Sequence, residues 1–312
     1  MSKDFAIVAD ITCDLSEELQ KKFGLEVIMG HYTTPDGVEH DSFLSWENKD
    51  KNAFYNNLKK DPNGFKTSPP NINECFNAFE KHIKEGRGVI ALAISSAISG
   101  TYQFMVQAKK LILEKYNDAK IEIVDSLRFG PGFGLMMVYA AKLREEGKSF
   151  EEVCEWIKDN KCRFHQTGWM DDLSFVAKKG RLTNAKAFFG TLVGIKPIGE
   201  FDYNGLTTVI GKAKGEKQAY QVLLDYIDKF IVNPSEQIIF IATSNRNKQA
   251  EAFKDMIVER FNPKEIYVNE IYSNCAINVG PGLMAAYYYG QEISKDLSVE
   301  KNAINEILNN KK

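Results

Sequence analysis

Apolar residues in this chain fall into two alternating patterns: short unbroken runs, and longer stretches in which they recur every three or four positions. The first reads as strands buried on both faces, the second as helices with one apolar stripe. Gly88-Val-Ile-Ala-Leu-Ala-Ile94, uncharged and β-branched at several places, predicts a central strand of a parallel sheet. Behind it, Tyr102, Met105, Val106, Lys109 and Leu113 predict a helix running to Lys115. The connection, Ser95-Ser-Ala-Ile-Ser-Gly-Thr101, is crowded with hydroxyls. A turn between a strand's carboxyl end and a helix's first turn offers free backbone N–H groups and a dipole that attract an anion. Ser99 is also a natural N-cap, so a cap and a tight turn with no ligand is the competing reading.

The same rhythm starts at the N-terminus. Phe5–Ala9 predicts a strand, followed by a helix over Leu15–Lys22 that Asp14 or Thr12 can cap, and Leu25–Met29 predicts a second strand. The polar segment from His31 to Asn57 reads as an insertion over the sheet edge. Lys66-Thr-Ser-Pro-Pro-Asn71 is extended, because the residue before a proline avoids the helical region; it leads into a helix over Ile72–Lys84. A strand over Lys120–Ser126, the turn Gly130-Pro-Gly-Phe-Gly134, and helices over Leu135–Glu146 and Phe150–Asp159 complete the first half.

A boundary is expected there, giving domains 1–160 and 161–312. The second half predicts a strand within 163–176, the basic stretch Val176–Thr183, and an apolar helix with Phe188, Phe189, Leu192 and Val193. A hairpin over Ile195–Ile210 turns at Asn204-Gly205. Then come a helix over Lys217–Phe230, a strand over Gln237–Ala242, a helix over Asn247–Arg260 and a strand over Glu265–Tyr272. Asn278-Val-Gly-Pro-Gly-Leu283 is read as opening an apolar helix, and the tail after Ser294 as a weak helix. The expected class is α/β, with two α/β domains of mainly parallel sheets and a ligand site between them.

Composition narrows the chemistry. In 312 residues, 40 basic and 42 acidic side chains leave a net charge of −2, which gives no reason to expect nucleic acid as a partner. No stretch approaches the ~18 apolar residues of a membrane span, so no stable membrane insertion is expected. The five Cys are scattered, with no Cys-x-x-Cys pair and no clustered His, and suggest neither a disulfide framework nor a zinc site. The cytoplasm is the expected compartment. The four His (His31, His40, His82, His165) lie far apart, and no nucleophile elbow, P-loop or dinucleotide fingerprint is present. What remains is a set of hydroxyls and small residues: Thr12, Thr67, Ser68, Ser95, Ser96, Ser99, Ser126 and Gly280-Pro-Gly282. Hydroxyls and backbone amides hold a carboxylate or phosphate without a metal. The set describes a binder of a small anion.

Asp10-x-Thr-x-Asp14-Leu, Thr67-Ser-x-Pro, Ser95-Ser-x-Ile-Ser-Gly-Thr-Tyr-Gln103, Val124-Asp-Ser126, Lys179-Gly-Arg-Leu182, Ile195-Lys-Pro-Ile198 and Gly280-Pro-Gly282 occur in that order over about residues 5–290. Together they resemble the DegV family of bacterial fatty-acid-binding proteins. The resemblance implies a non-catalytic carrier in phospholipid metabolism that needs no metal or cofactor. Its ligand would be one long-chain fatty acid, with the carboxylate between the domains and the acyl chain buried in the second. A separate fatty-acid kinase would phosphorylate the carboxylate. Carried over by motif, Thr67 and Ser99 would bind the carboxylate, with Ser68, Ser96 and Gly100 beside them; the loop Lys178-Lys-Gly-Arg181 would bring Arg181 to the head group or the kinase. Which of Phe188, Phe189, Leu192, Leu283 and Met284 point inward would set the pocket's length. The chain departs from the family at Ile11, Pro69, Lys179 and above all Asn278, where a His is usual; Asn278 is expected to hydrogen-bond the carboxylate but carries no charge. Two rival readings stay open: a hydrolase or acyltransferase with Ser96 or Ser99 as nucleophile, and a regulatory module binding a small phosphate.

Overall fold

The computed structural model describes residues 4–183 and 194–310; the helix expected around Phe188 lies outside them. The first half contributes strands β1 (Phe5–Asp10), β2 (Glu26–Ile28), β3 (His31–Thr33), β4 (Glu39–Asp41), β5 (Lys66–Ser68), β6 (Gly88–Ala93) and β7 (Ile121–Asp125). Its helices are α1 (Glu17–Phe23), α2 (Lys51–Lys60), α3 (Ile72–Lys84), α4 (Thr101–Lys115), α5 (Pro131–Glu145) and α6 (Phe150–Asn160). The second half contributes β8 (Phe164–Met170), α7 (Ser174–Lys178), β9 (Ile195–Phe201), β10 (Thr207–Lys214), α8 (Gly215–Phe230) and β11 (Ile238–Thr243). It closes with α9 (Asn247–Phe261), β12 (Glu265–Glu270), α10 (Ser273–Val279), β13 (Leu283–Tyr289) and α11 (Ser298–Asn309).

The first sheet, in the order β2-β1-β6-β7, is parallel throughout, and β6 is buried along its whole length as its uncharged sequence predicts. The insertion after β2 forms a small antiparallel sheet, β4-β3-β5. The second sheet runs β10-β9-β8-β13-β11-β12, and only β11–β12 is parallel. The α/β class holds, but the expectation of a mainly parallel second sheet does not.

One segment, β13, accounts for much of that difference. Leu283–Tyr289 is a strand, where an apolar helix was expected. It is buried on both faces, so its run of apolar residues carries no period to separate strand from helix. Gly280 and Gly282 both have positive φ, and around Pro281 they turn the chain out of α10 straight into β13. β13 then lies between β8 and β11, antiparallel to both.

Two caps also differ. Ser16, not Asp14 or Thr12, caps α1, its hydroxyl accepting the Leu19 N–H at 3.4 Å. Asp14 instead adopts a left-handed conformation and accepts the Tyr272 N–H at 3.0 Å, joining the two halves. The cap position of α4 is Gly100, one residue beyond the expected Ser99.

The layers follow from which faces are apolar. Helices α3 and α4 cover one face of the first sheet, while α8, α9 and α11 cover one face of the second. Between the sheets lies α5, buried almost all round and in contact with β1, β6, β8, β11 and β13. Pro131 at its first turn needs no N–H partner there, which starts the helix four residues earlier than its apolar run suggests.

Candidate functional site

The inner face of the second sheet and the polar turns of the first enclose a cavity of about 110 Å³. Its floor is the sheet itself: Gln166, Gly168 and Met170 of β8, Pro197, Gly199 and Phe201 of β9, Thr207 and Val209 of β10, and Leu283, Ala285 and Tyr287 of β13. These alternate along each strand, the spacing that puts side chains on one face; Trp169 and Glu200 between them also border the cavity, although their side chains pack with the opposite core. Ile94, Ile98, Phe129, Leu173, Val176 and Val279 add apolar walls. Leu283 faces this cavity, and Met284, one residue on, faces the opposite core.

The polar part of the lining comes from both halves. Asp10, at the end of β1, accepts the backbone N–H groups of Thr12 at 2.9 Å and Ile94 at 3.0 Å, and the Thr12 hydroxyl. It thereby pins the ends of β1 and β6 together. Burial pushes its pKa up, against the pull of these donors.

Thr67 on β5 faces α10. Its hydroxyl oxygen accepts a hydrogen bond from the Asn278 amide at 3.1 Å, and the same amide nitrogen donates to the Asn274 carbonyl at 2.8 Å. A backbone carbonyl can only accept, so this contact fixes which end of the Asn278 amide is nitrogen. Both amide hydrogens are therefore spent inside the protein. In this arrangement the Asn278 amide hydrogens go to Thr67 and Asn274, and the Thr67 hydroxyl oxygen serves as the acceptor. Asn274 anchors the arrangement, donating to the Ser68 carbonyl at 3.4 Å and accepting from the Ser42 hydroxyl.

Across the cavity, the Ser99 hydroxyl lies 2.8 Å from that of Thr101 and accepts the Thr101 N–H at 3.3 Å. Arg181 is half-buried, its Nε donating to the Ile98 carbonyl at 3.1 Å and its Nη1 to that of Lys179. Lys179 donates to the Phe65 carbonyl at 2.8 Å, and burial, with the charges of Arg181 and Lys66, lowers its pKa. Lys178 lies outside the cavity, in a separate surface cleft with Asp171 and Arg246.

Of the residues singled out by sequence, Thr12, Thr67, Ser99, Asn278 and Arg181 share this cavity; Ser68, Ser95, Ser96, Gly100 and Ser126 do not line it. Ser68 follows Thr67 on a strand, so its side chain takes the other face. Ser96 is exposed, its backbone N–H tied to Asp125 at 3.1 Å, and Gly100 is exposed at the start of α4. Sequence reasoning missed Asn274, which nothing local marks, whereas Thr101 belongs to the hydroxyl-rich turn leading into α4.

On the far side of the floor, buried Glu200 accepts from the backbone of Gln166 at 2.7 Å and Phe201 at 2.9 Å, and from the hydroxyl of Thr167 at 2.7 Å. His165 approaches the same carboxylate at 3.0 Å through Nδ1, while its Nε2 faces the Gln291 carbonyl at 2.9 Å. Burial works to raise the Glu200 pKa, but His165 and the other donors hold it below its ordinary value. Among the described residues there is no cluster able to hold a metal ion and no helix long and apolar enough to cross a membrane.

A family model described as uncharacterised protein, DegV family, matches residues 4–291. A DegV domain-containing protein of Clostridium perfringens is 34% identical over 290 residues, covering 92% of this chain and 98% of that one. Among solved structures, a fatty-acid-binding DegV family protein of Thermus thermophilus superposes with a TM-score of 0.81 at 24% identity, over 92% of this chain and 99% of the other. The fatty acid kinase B3 protein of Streptococcus pneumoniae, loaded with linoleic acid, gives 0.77 at 22% identity, over 91% and 99%.

Proposed function

The chain belongs to the DegV family, and on that premise we propose that it carries a long-chain fatty acid and presents it to a separate fatty-acid kinase. The observation that supports this reading most is the union, in one narrow cavity, of an apolar sheet floor with Thr67, Ser99 and Arg181. Each buried methylene contributes about 0.8 kcal/mol. A carboxylate needs donors instead, and hydrogen bonds to a charged group contribute about 1.5–3 kcal/mol each. In this reading the Thr67 hydroxyl, whose oxygen accepts from Asn278, and the Ser99–Thr101 hydroxyl pair would supply them, and Arg181 would add positive charge.

In this reading the protein positions and the kinase reacts. A carboxylate oxygen attacks the terminal phosphorus of the kinase's nucleoside triphosphate, the bond to the diphosphate breaks, and an acyl phosphate leaves. The hydrolase reading finds no support in the histidines: His31 contacts Glu74 and Asp41, His40 contacts Thr34, His82 contacts Glu26 and Arg87, and His165 contacts Glu200 and Gln291. None of these contacts is to a serine that could be activated.

Native mass spectrometry of the purified protein, with and without organic extraction, tests the carrier role. One extractable fatty acid per chain is expected, and a protein that neither retains nor takes up any fatty acid refutes the reading. Trapping of acyl phosphate with hydroxylamine, only when kinase and carrier are combined, tests the second half.

A further inference from the structure

Two glycines of the cavity floor face each other in register, Gly168 on β8 and Gly199 on β9, and they are glycines for different reasons. A Cβ on Gly168 would come within 2.3 Å of the Met284 carbonyl oxygen and 2.4 Å of the Ala285 Cβ, so the packing of β8 against β13 forbids a side chain there. Gly199 has ordinary strand geometry without positive φ. The nearest atoms to a Cβ placed on it are the Thr208 carbonyl oxygen at 3.6 Å and the Thr207 Cγ2 at 4.0 Å, both at ordinary contact distance. Among the described residues no close contact bars a side chain at this position, which pairs with Val209 beside the bulge of β10, and a glycine inside a strand weakens it.

The cavity supplies the missing reason. Pro197 and Phe201, two residues to either side on the same strand face, both line it, so a side chain at 199 would rise from the floor into the cavity. A strand glycine that the backbone does not need marks close approach by something else. We propose that Gly199 is a specificity-determining residue: its missing side chain leaves the lane across the floor that the acyl chain occupies, and sets the chain length the protein accepts. This rests on the fatty-acid reading above.

The test compares wild type with Gly199→Ala and Gly199→Val, each confirmed as folded by its thermal unfolding. Acyl content is read by mass spectrometry after extraction, and affinity by displacement titration over saturated acids from decanoate to stearate. Because interiors conserve packed volume, the Val variant should prefer chains about two to three carbons shorter, and the Ala variant about one. Stearate affinity should fall about tenfold or more in the Val variant while decanoate affinity stays within about twofold. If Gly199→Val fails to fold, the Ala variant alone decides by the same comparison. Folded variants that keep the wild-type chain profile would overturn the inference and leave the carrier reading standing. A wild type that binds no fatty acid of any length would sink the carrier reading, and the inference with it.

Discussion

Replacing Thr67 by Val removes one oxygen and little else. Val keeps the β-branched shape that β5 uses, so its pairing with β3 should survive. Two bonds are lost. One, on the fatty-acid reading proposed above, is the hydroxyl's donation to the carboxylate, a charge-assisted bond contributing about 1.5–3 kcal/mol. The other is the 3.1 Å bond from Asn278, which then has one amide hydrogen without its acceptor. Asn278 is half-buried, so water can reach part of it, and the stability cost should be near the low end of the roughly 1–3 kcal/mol for an unsatisfied donor. Fatty-acid affinity should therefore fall about 10- to 100-fold, with a modest drop in unfolding temperature. Thr67→Ser, which restores the hydroxyl, should recover most of both. Displacement titration of a fluorescent fatty acid, run beside thermal unfolding of the same samples, separates the two effects. Wild-type affinity in a folded Thr67→Val protein would show that the hydroxyl does not touch the ligand, and the carboxylate would have to be placed elsewhere.

Ser99→Ala should weaken binding by about 1–3 kcal/mol, whereas Ser96→Ala, three residues away and turned to solvent, should leave it unchanged; equal effects in titration would contradict the placement. Asn278→His can still donate one hydrogen to Thr67, so lipid affinity should stay within about tenfold. The added capacity for positive charge should speed acyl phosphate formation with a cognate kinase, and an unchanged rate would remove Asn278 from that step. Glu26 is lowered from 4.5 to about 2 by its hydrogen bond from His82, against the opposing effect of burial and with help from Lys81. Its folded pKa lies below the unfolded one, so its contribution is full at pH above 4.5 and is lost as the pH falls toward 2. Allowing for solvent screening, about 1–2 kcal/mol of the acid-induced loss should vanish in Glu26→Gln, and an unchanged slope of stability against pH would refute this.

Much of this molecule could be read from its one-dimensional pattern, and the failures have physical causes. Helix α3 was legible to the residue, because two prolines keep the segment before it extended; the structure adds that Asn71 caps it with Glu74 reaching back. The β9–β10 hairpin was legible from Asn204-Gly205. β13 was not, since burial on both faces erases the alternation by which a strand is recognised. Thr67 and Ser99 were visible as hydroxyls at the ends of strands or extended segments, positions that α/β folds bring to one edge. Their relation to Asn278 was not visible, because it depends on how α10, more than two hundred residues away, docks against β5. The roles of the two floor glycines were equally hidden. Distinguishing them needs the distance to the neighbouring strand, which no sequence spacing encodes.

Helix α5 bears on how the molecule can move. One continuous apolar cluster runs from Phe5 of the first sheet through Leu135, Met136 and Val138 to Phe240 and Tyr287 of the second, so a cut at residue 160 divides the sheets but not the core. Swinging the halves apart like a clamshell would strip this helix on two sides, at about 1.5–3 kcal/mol for each large side chain exposed. Opening of that kind is therefore costly, and the two halves should melt in a single cooperative step.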